Sequence, residues 1–378
     1  MVQRLAVLAL AVLAPWVGAT AAEPIRIGQS AALDGPAARL GLGMQRGLQA
    51  AFVEVNAAGG VHGRQLVLVS RDDGYEPDRA VSATLSLIEE EAVFCLAGYV
   101  GTPTAKAILP IVKDMQVPLV GLFTGAGFLR QPVVPTVFNV RASYDEETEA
   151  LVASLTGDLG IERIAVFHQD DSFGRVGLSG TTKALAKRGL ELAGVGTYPR
   201  NTEAVKQAVV DLQAAAPEAI VMVGAYAPIA AFVRACKKAG FEPVFTTISF
   251  TGTQATIEAL GDQAEGLVIS QVMPSPLSDD LPIIAAYRQA MQQQGQEQFD
   301  YTCLEGYVTG RVLIAGLQQA EQPLDRAGLV AAMEAMTAVD LGGLSVSFSA
   351  VDHQALDQVY LTQVRQGQAT PVTAITAP

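Results

Sequence analysis

The chain has 378 residues, 50% hydrophobic and 17% charged, with a formal net charge of -13. This composition suits packed globular units and excludes disorder, and the acidic balance excludes a nucleic-acid binder, because phosphate contact needs clustered Lys and Arg. Three cysteines, Cys95, Cys236 and Cys303, form no CxxC pair and cannot make a disulfide scaffold. Cys95 lies in the apolar run Val93-Phe94-Cys95-Leu96 and reads as a buried thiol.

Arg4, the apolar run from Leu5 to Val17 and the small residues Gly18-Ala19-Thr20-Ala21-Ala22 have the layout of a cleaved secretory signal over residues 1–22. The apolar run is shorter than the roughly 20 residues a membrane span needs, and no later segment is apolar for that long. The mature chain is therefore expected to begin near Ala22 or Glu23, in the periplasm. A chain of this length suggests two domains.

After the signal, short apolar runs alternate with amphipathic stretches, the pattern of βα units that build parallel sheets. Strands are predicted at Ile25 to Gly28, Leu66 to Ser70, Val93 to Leu96 and Pro118 to Leu122, with helices between and after them at Gly43 to Ala57, Asp78 to Glu90 and Thr102 to Asp114. A second series follows: helix Tyr144 to Leu159, strand Arg163 to His168, helices Phe173 to Lys187 and Ala204 to Ala215, strand Ala219 to Val223, helix Pro228 to Ala239, and strands Val244 to Thr247 and Gly266 to Gln271. Pro274 and Pro276 break the pattern and mark a crossing between lobes. Helices at Leu281 to Gln294 and Tyr301 to Gln319 then precede a strand pair near Leu344 to Phe348 and Gln358 to Val364. The fold class is α/β with two doubly wound lobes. The first is assigned residues 23–143 plus 274–350, the second 144–273 plus 351–378.

Ligands of open parallel sheets bind beyond the carboxyl ends of the strands, so the loops there carry the candidate site. The first, Gly98-Tyr99-Val100-Gly101-Thr102-Pro103-Thr104, reads as a helix start with Thr102 as N-cap. Its free N–H groups suit a carboxylate, though a plain capped helix has the same sequence. In Phe123-Thr124-Gly125-Ala126-Gly127 the glycines allow either close backbone approach to a ligand or a tight turn. Gln169-Asp170-Asp171-Ser172-Phe173-Gly174 and Gly224-Ala225-Tyr226-Ala227-Pro228 each place an aromatic where it could cover an apolar ligand body or pack at a strand end.

Signatures of catalysis are thin. His62, His168 and His353 show no metal-ligand spacing, and GxGxxG, GxxxxGK[ST] and GxSxG are all missing. Asp72-Asp73 and Asp170-Asp171 could bind metal or do acid–base work, but exposed turns explain them as well. No catalytic residue, metal or cofactor is expected.

Taken in order, Ile25-Arg26-Ile27-Gly28, Asp34-Gly35-Pro36, Asn56-Ala57-Ala58-Gly59-Gly60-Val61-His62-Gly63, Asp72-Asp73 and Gly261-Asp262-Gln263-Ala264-Glu265-Gly266 resemble the periplasmic binding proteins of the leucine/isoleucine/valine type, the type I solute receptors of branched-chain amino acid ABC importers. The resemblance covers nearly the whole mature chain. It implies two Rossmann-like lobes joined by three crossings, closure around a small carboxylate ligand, an inner-membrane ABC permease as partner, and a monomer; a periplasmic sensory protein feeding a signalling partner is the alternative. Onto this sequence the carboxylate-binding hydroxyl falls on Thr102, beside Thr104, the backbone loop on Thr124 and Gly125, and the second-lobe aromatics on Phe173 and Tyr226. Tyr99 joins them against the apolar body.

An acid that helps hold a ligand ammonium falls on Glu146, with Asp145 and Glu147 adjacent. The second-lobe glutamate that amino-acid receptors use falls on Ser249, a neutral hydroxyl, and the first-loop aromatic on Leu40. Cysteines that pair in some of these receptors fall on Tyr75 and Gly101. If Glu146 faces solvent, the site has a carboxylate clamp without an ammonium clamp, which favours aromatic or aliphatic organic acids.

Overall fold

The computed structural model describes residues 22–377, so the signal segment expected at 1–22 lies, apart from Ala22, outside the described residues. The chain opens with β1 (Ile25–Ala31), α1 (Ala38–Ala57), β2 (Leu66–Asp72), α2 (Pro77–Glu89), β3 (Cys95–Ala97), α3 (Thr102–Asp114), β4 (Leu119–Val120) and β5 (Val137–Phe138). These strands form an all-parallel sheet in the order β2-β1-β3-β4-β5. Helices cover both faces, and the central strands β3 and β4 are accordingly continuous apolar runs.

A second series follows: α4 (Tyr144–Asp158), β6 (Ile164–Gln169), α5 (Ser172–Ala186), β7 (Val195–Tyr198), α6 (Lys206–Ala215), β8 (Ala219–Val223), α7 (Tyr226–Lys238), β9 (Val244–Thr247), α8 (Thr253–Leu260) and β10 (Val268–Gln271). The chain then returns to the first lobe as α9 (Pro282–Gln293), α10 (Tyr301–Gln319), α11 (Arg326–Glu334) and the short pair β11 (Val339–Asp340) and β12 (Ser345–Val346). It ends in the second sheet as β13 (Tyr360–Arg365) and β14 (Gln368–Val372), antiparallel additions that give the order β14-β13-β10-β9-β8-β6-β7. Three passages, residues 139–143, 272–281 and 347–359, connect the sheets.

The return of α10 onto α1 depends on backbone contact. A Cβ on Gly47 would meet the Cys303 carbonyl oxygen at 2.0 Å and the Tyr307 nitrogen at 2.5 Å, so only glycine lets these helices touch. Behind them α9, α10 and the inner face of the first sheet share a core that includes Leu48, Phe138, Tyr287 and Leu313.

Six elements were not predicted: β5, β7, α8, α11, β11 and β14; the strand pair expected at Leu344 to Phe348 and Gln358 to Val364 is also divided, β12 pairing with β11 and β13 with β10 and β14. β5 is only two residues long, and β7 is an edge strand whose exposed and buried residues alternate, so neither is an apolar run. α1 also starts five residues earlier than expected, where Leu40 is buried at the lobe contact.

Candidate functional site

The loop before α3 departs from the expected cap. Gly101, at φ 104°, is the N-cap and Thr102 is the first helical residue. Only glycine takes that backbone readily, and a Cβ there would also strike the Tyr75 ring at 2.2 Å. Because Thr102 caps nothing, its hydroxyl is available, and Oγ1 lies 2.7 Å from Thr124 Oγ1 in the loop after β4. Both threonines are fully buried. Thr104 donates to the carbonyls of Val100 and Gly101 at 2.6 and 3.0 Å, so its proton is committed to the helix start. The Gly125 carbonyl accepts from the Tyr144 N–H at 2.8 Å, joining this loop to the first passage between lobes.

Aromatic rings from both lobes meet in one buried cluster. Phe250, just after β9, stands 4.4 Å from Phe173, 5.3 Å from Phe123 and 6.0 Å from Tyr75, measured between ring centroids. Tyr144 stands 5.5 Å from Phe173. Leu40, Met44 and Val100 of the first lobe join the same buried cluster, so the lobes lie closed on one another. Tyr99 is not part of it: its ring packs with Leu87 and Ile108 behind the first sheet, and its hydroxyl is 3.1 Å from Thr84 Oγ1. Tyr226 is half-buried at the start of α7, where its hydroxyl meets the backbone of Arg39 in the other lobe. Phe250 and Tyr144 were missed as site residues. Phe250 adjoins Ser249, and that adjacency was the available signal.

Acidic residues at the start of α4 separate by face. Glu146 completes a capping box: Ser143 Oγ accepts from the Glu146 N–H, and Glu146 Oε2 accepts from the Ser143 N–H at 2.6 Å. The same carboxylate accepts from Gln354 Nε2 at 3.0 Å in the third passage. Glu147 is the acid that turns inward, and it is fully buried. It accepts from Arg141 Nη2 at 2.9 Å, from the Ser249 N–H at 2.8 Å, from Ser249 Oγ at 3.0 Å and from Ser270 Oγ at 2.7 Å. An acid therefore does reach Ser249, but four donors already occupy it.

Arg141, also fully buried, lies between Glu147 and Glu305 of α10, whose carboxylate is 3.5 Å from Nη1. Its guanidinium carbon sits 4.9 Å from the Phe123 ring centroid and 5.7 Å from that of Tyr144. Arg130 braces the passages nearby, donating to the carbonyls of Ala126 at 3.0 Å and Arg141 at 2.9 Å and to Gln354 Oε1 at 2.6 Å.

Burial pushes the Glu305 carboxyl up to about 7 and that of Asp73 up to about 6. Unfolded carboxyls ionise near pH 4. Between that value and the folded ones the native state holds more protons, so stability should fall as pH rises from about 4 to about 7. Glu305→Gln should flatten this slope in urea titrations between about pH 5 and 7, and an unchanged slope would show that water reaches Glu305.

The paired aspartates have structural partners. Asp72 Oδ1 accepts from the Leu33 N–H at 2.8 Å, and Asp73 Oδ2 from Ser30 Oγ at 2.7 Å. Asp171 caps α5 through the Phe173 N–H at 2.9 Å. Among the described residues no group of three or more His, Cys, Asp or Glu could hold a metal ion, and no helix is long and apolar enough to cross a membrane.

Polar contacts bridge the rim of the closed cleft. Arg200 of the second lobe pairs with Glu76 of the first at 2.7 Å and with Asp171 at 3.2 Å. Asn201 donates to Glu76 at 2.7 Å, and Arg39 pairs with Glu258 at 2.8 Å. Partly exposed pairs of this kind contribute little to folding, about 0–1 kcal/mol each. Because they join the two lobes, however, Arg200→Ala should leave the unfolding midpoint nearly unchanged and raise the dissociation rate of a ligand held between the lobes roughly three- to tenfold in stopped flow. An unaltered rate would remove this contact from the closing device. Beside the hinge passages an open groove of about 910 Å³ is lined by Lys106, Arg130, Ser143, Glu146, Arg175 and Gln354. Its walls are mostly charged or polar residues, unlike the ring-lined cleft.

Residues 24–369 match the family model described as periplasmic binding protein. Leu/Ile/Val-binding protein homolog 7 of Brucella abortus is 26% identical over 245 residues, 62% of this chain and 61% of the relative, so the alignment spans under two thirds of that protein. Among solved structures, a possible leucine/isoleucine/valine-binding protein from Rhodopirellula baltica superposes with a TM-score of 0.90 at 36% identity, covering 94% of this chain and 98% of that one. A substrate-binding periplasmic protein from Ralstonia solanacearum gives 0.86 at 27%, covering 92% and 99%. The chain belongs to the periplasmic binding protein family, and its likeness is to the leucine/isoleucine/valine type.

Proposed function

We propose that the protein is exported to the periplasm, captures a small carboxylate-bearing solute with an apolar body between its lobes, and delivers it to an inner-membrane ABC permease without performing chemistry. Residues 23–143 with 274–350 move as one body and 144–273 with 351–378 as the other, hinged on the passages that Arg130 braces. The observation that carries the reading is the buried cluster of Phe123, Phe173 and Phe250 from both lobes, with Phe123 adjoining Thr124, whose hydroxyl meets that of Thr102. Ligand contacts to both lobes favour the closed form by population shift.

Within that class, organic acids are favoured over amino acids. A buried ammonium needs an acidic partner, and the acid beside Ser249, Glu147, is already bonded by four donors. The names of the relatives favour a branched-chain amino acid instead. Thermal-shift titration with leucine, valine, phenylalanine, benzoate, 3-phenylpropanoate and 4-methylpentanoate separates the two. Stabilisation by the acids with indifference to the amino acids is expected. Tight leucine binding would restore the amino-acid reading, and small-angle scattering without compaction in the presence of a tight ligand would exclude closure.

A further inference from the structure

Three polar atoms buried around the ring cluster lack a hydrogen-bond partner: Arg141 Nε, Arg141 Nη1 and the Tyr144 hydroxyl. Buried donors without partners are rare in native proteins because each carries its full desolvation cost. Here they converge. The Arg141 guanidinium lies against the rings of Phe123 and Tyr144, and Thr124 acts on the Tyr144 hydroxyl without the alignment of a hydrogen bond. Thr124 in turn is joined to Thr102.

We infer that the Tyr144 hydroxyl and the unpaired Nε–H of Arg141 complete, with Thr102 and Thr124, the site that takes the solute carboxylate. The assignment rests on the carboxylate reading of the function and adds to it the residues that set its specificity. All the groups named are donors, and a carboxylate is acceptor-only. Arg141 leaves Nε and Nη1 unpaired on different edges of the guanidinium, while Glu147 and the Ser249 hydroxyl occupy Nη2, so the carboxylate takes one charge-assisted hydrogen bond from Nε rather than a two-pronged one. Glu305 is close to Nη1 but not aligned for a hydrogen bond, so it balances charge without filling that direction. A neutral solute would pair with the Arg141 Nε–H less strongly than a carboxylate does, and selectivity for anions follows.

Tyr144→Phe is the clean test, because it deletes an unpartnered hydroxyl and nothing that the unliganded fold uses. Calorimetry would compare 4-methylpentanoate and 3-phenylpropanoate with their carboxamides. For the carboxylates the variant should lose about tenfold or more in affinity, for the amides less than about threefold, and its unliganded unfolding midpoint should hold or rise. Arg141→Lys, checked for folding by circular dichroism, should cost the carboxylates more than the amides, because lysine keeps the charge and lacks the planar fork. Equal carboxylate binding by wild type and Tyr144→Phe would overturn the assignment alone. Failure of the wild type to bind any carboxylate in the panel would overturn the proposed function, and this assignment with it.

Discussion

Replacing Glu147 by alanine is expected to destabilise the protein by about 3–5 kcal/mol, the largest effect of any single change at the cleft. Its carboxylate is fully buried and is the shared acceptor for Arg141, the Ser249 N–H and hydroxyl, and Ser270. Deletion would leave those donors unpaired and Arg141 facing only Glu305, whose ionisation burial opposes. Since Ser270 lies in β10 of the second sheet, Ser249 just after β9 and Arg141 in the first passage, the same change should loosen the hinge. Urea unfolding at pH 7 measures the loss. A change below about 1 kcal/mol would mean that water or a rearranged side chain takes the place of the carboxylate. Glu146→Ala, removing a carboxylate of the capping box, should cost only about 1 kcal/mol by the same measurement.

Thr102→Val is expected to weaken carboxylate binding about ten- to a hundredfold, corresponding to roughly 1.5–3 kcal/mol for a hydrogen bond to a charged group. Valine keeps the shape of the side chain and removes the hydroxyl. Thr102 is free for this role because Gly101, not Thr102, caps the helix. The paired hydroxyl of Thr124, 2.7 Å away, loses its partner in the same substitution, so a small drop in unliganded stability should accompany the loss of affinity. Isothermal titration with the tightest ligand of the panel decides. Unchanged affinity in a folded variant would reduce the threonine pair to a structural element.

The alternating order of elements was legible because buried parallel strands are continuous apolar runs and the helices between them are amphipathic. The loop segments carried the family because their order is preserved along the chain, and the residue types at Thr102, Thr124 and Ser249 set the polar character of the cleft. What each neighbouring side chain faces was decided only by tertiary packing. Successive helical residues differ by about 100° around the axis, so Glu146 and Glu147 point to different surroundings although their sequence contexts are nearly identical. Glu146 turns back on its own helix start, and Glu147 meets Arg141 because α4 packs beside β10. Tyr99 faces the outer side of its sheet because the chain turns through Gly98, at φ 64°, and Gly101, at φ 104°, around it. Phe250 becomes the central ring of the cleft only when β9 of one lobe is brought against Phe123 and Tyr75 of the other. Local pattern encodes period and propensity, whereas the bonds of Glu147 to Ser249 and Ser270 and the ring contacts of Phe250 with Phe123 and Tyr75 join residues more than 100 positions apart and exist only once the chain has brought these elements together.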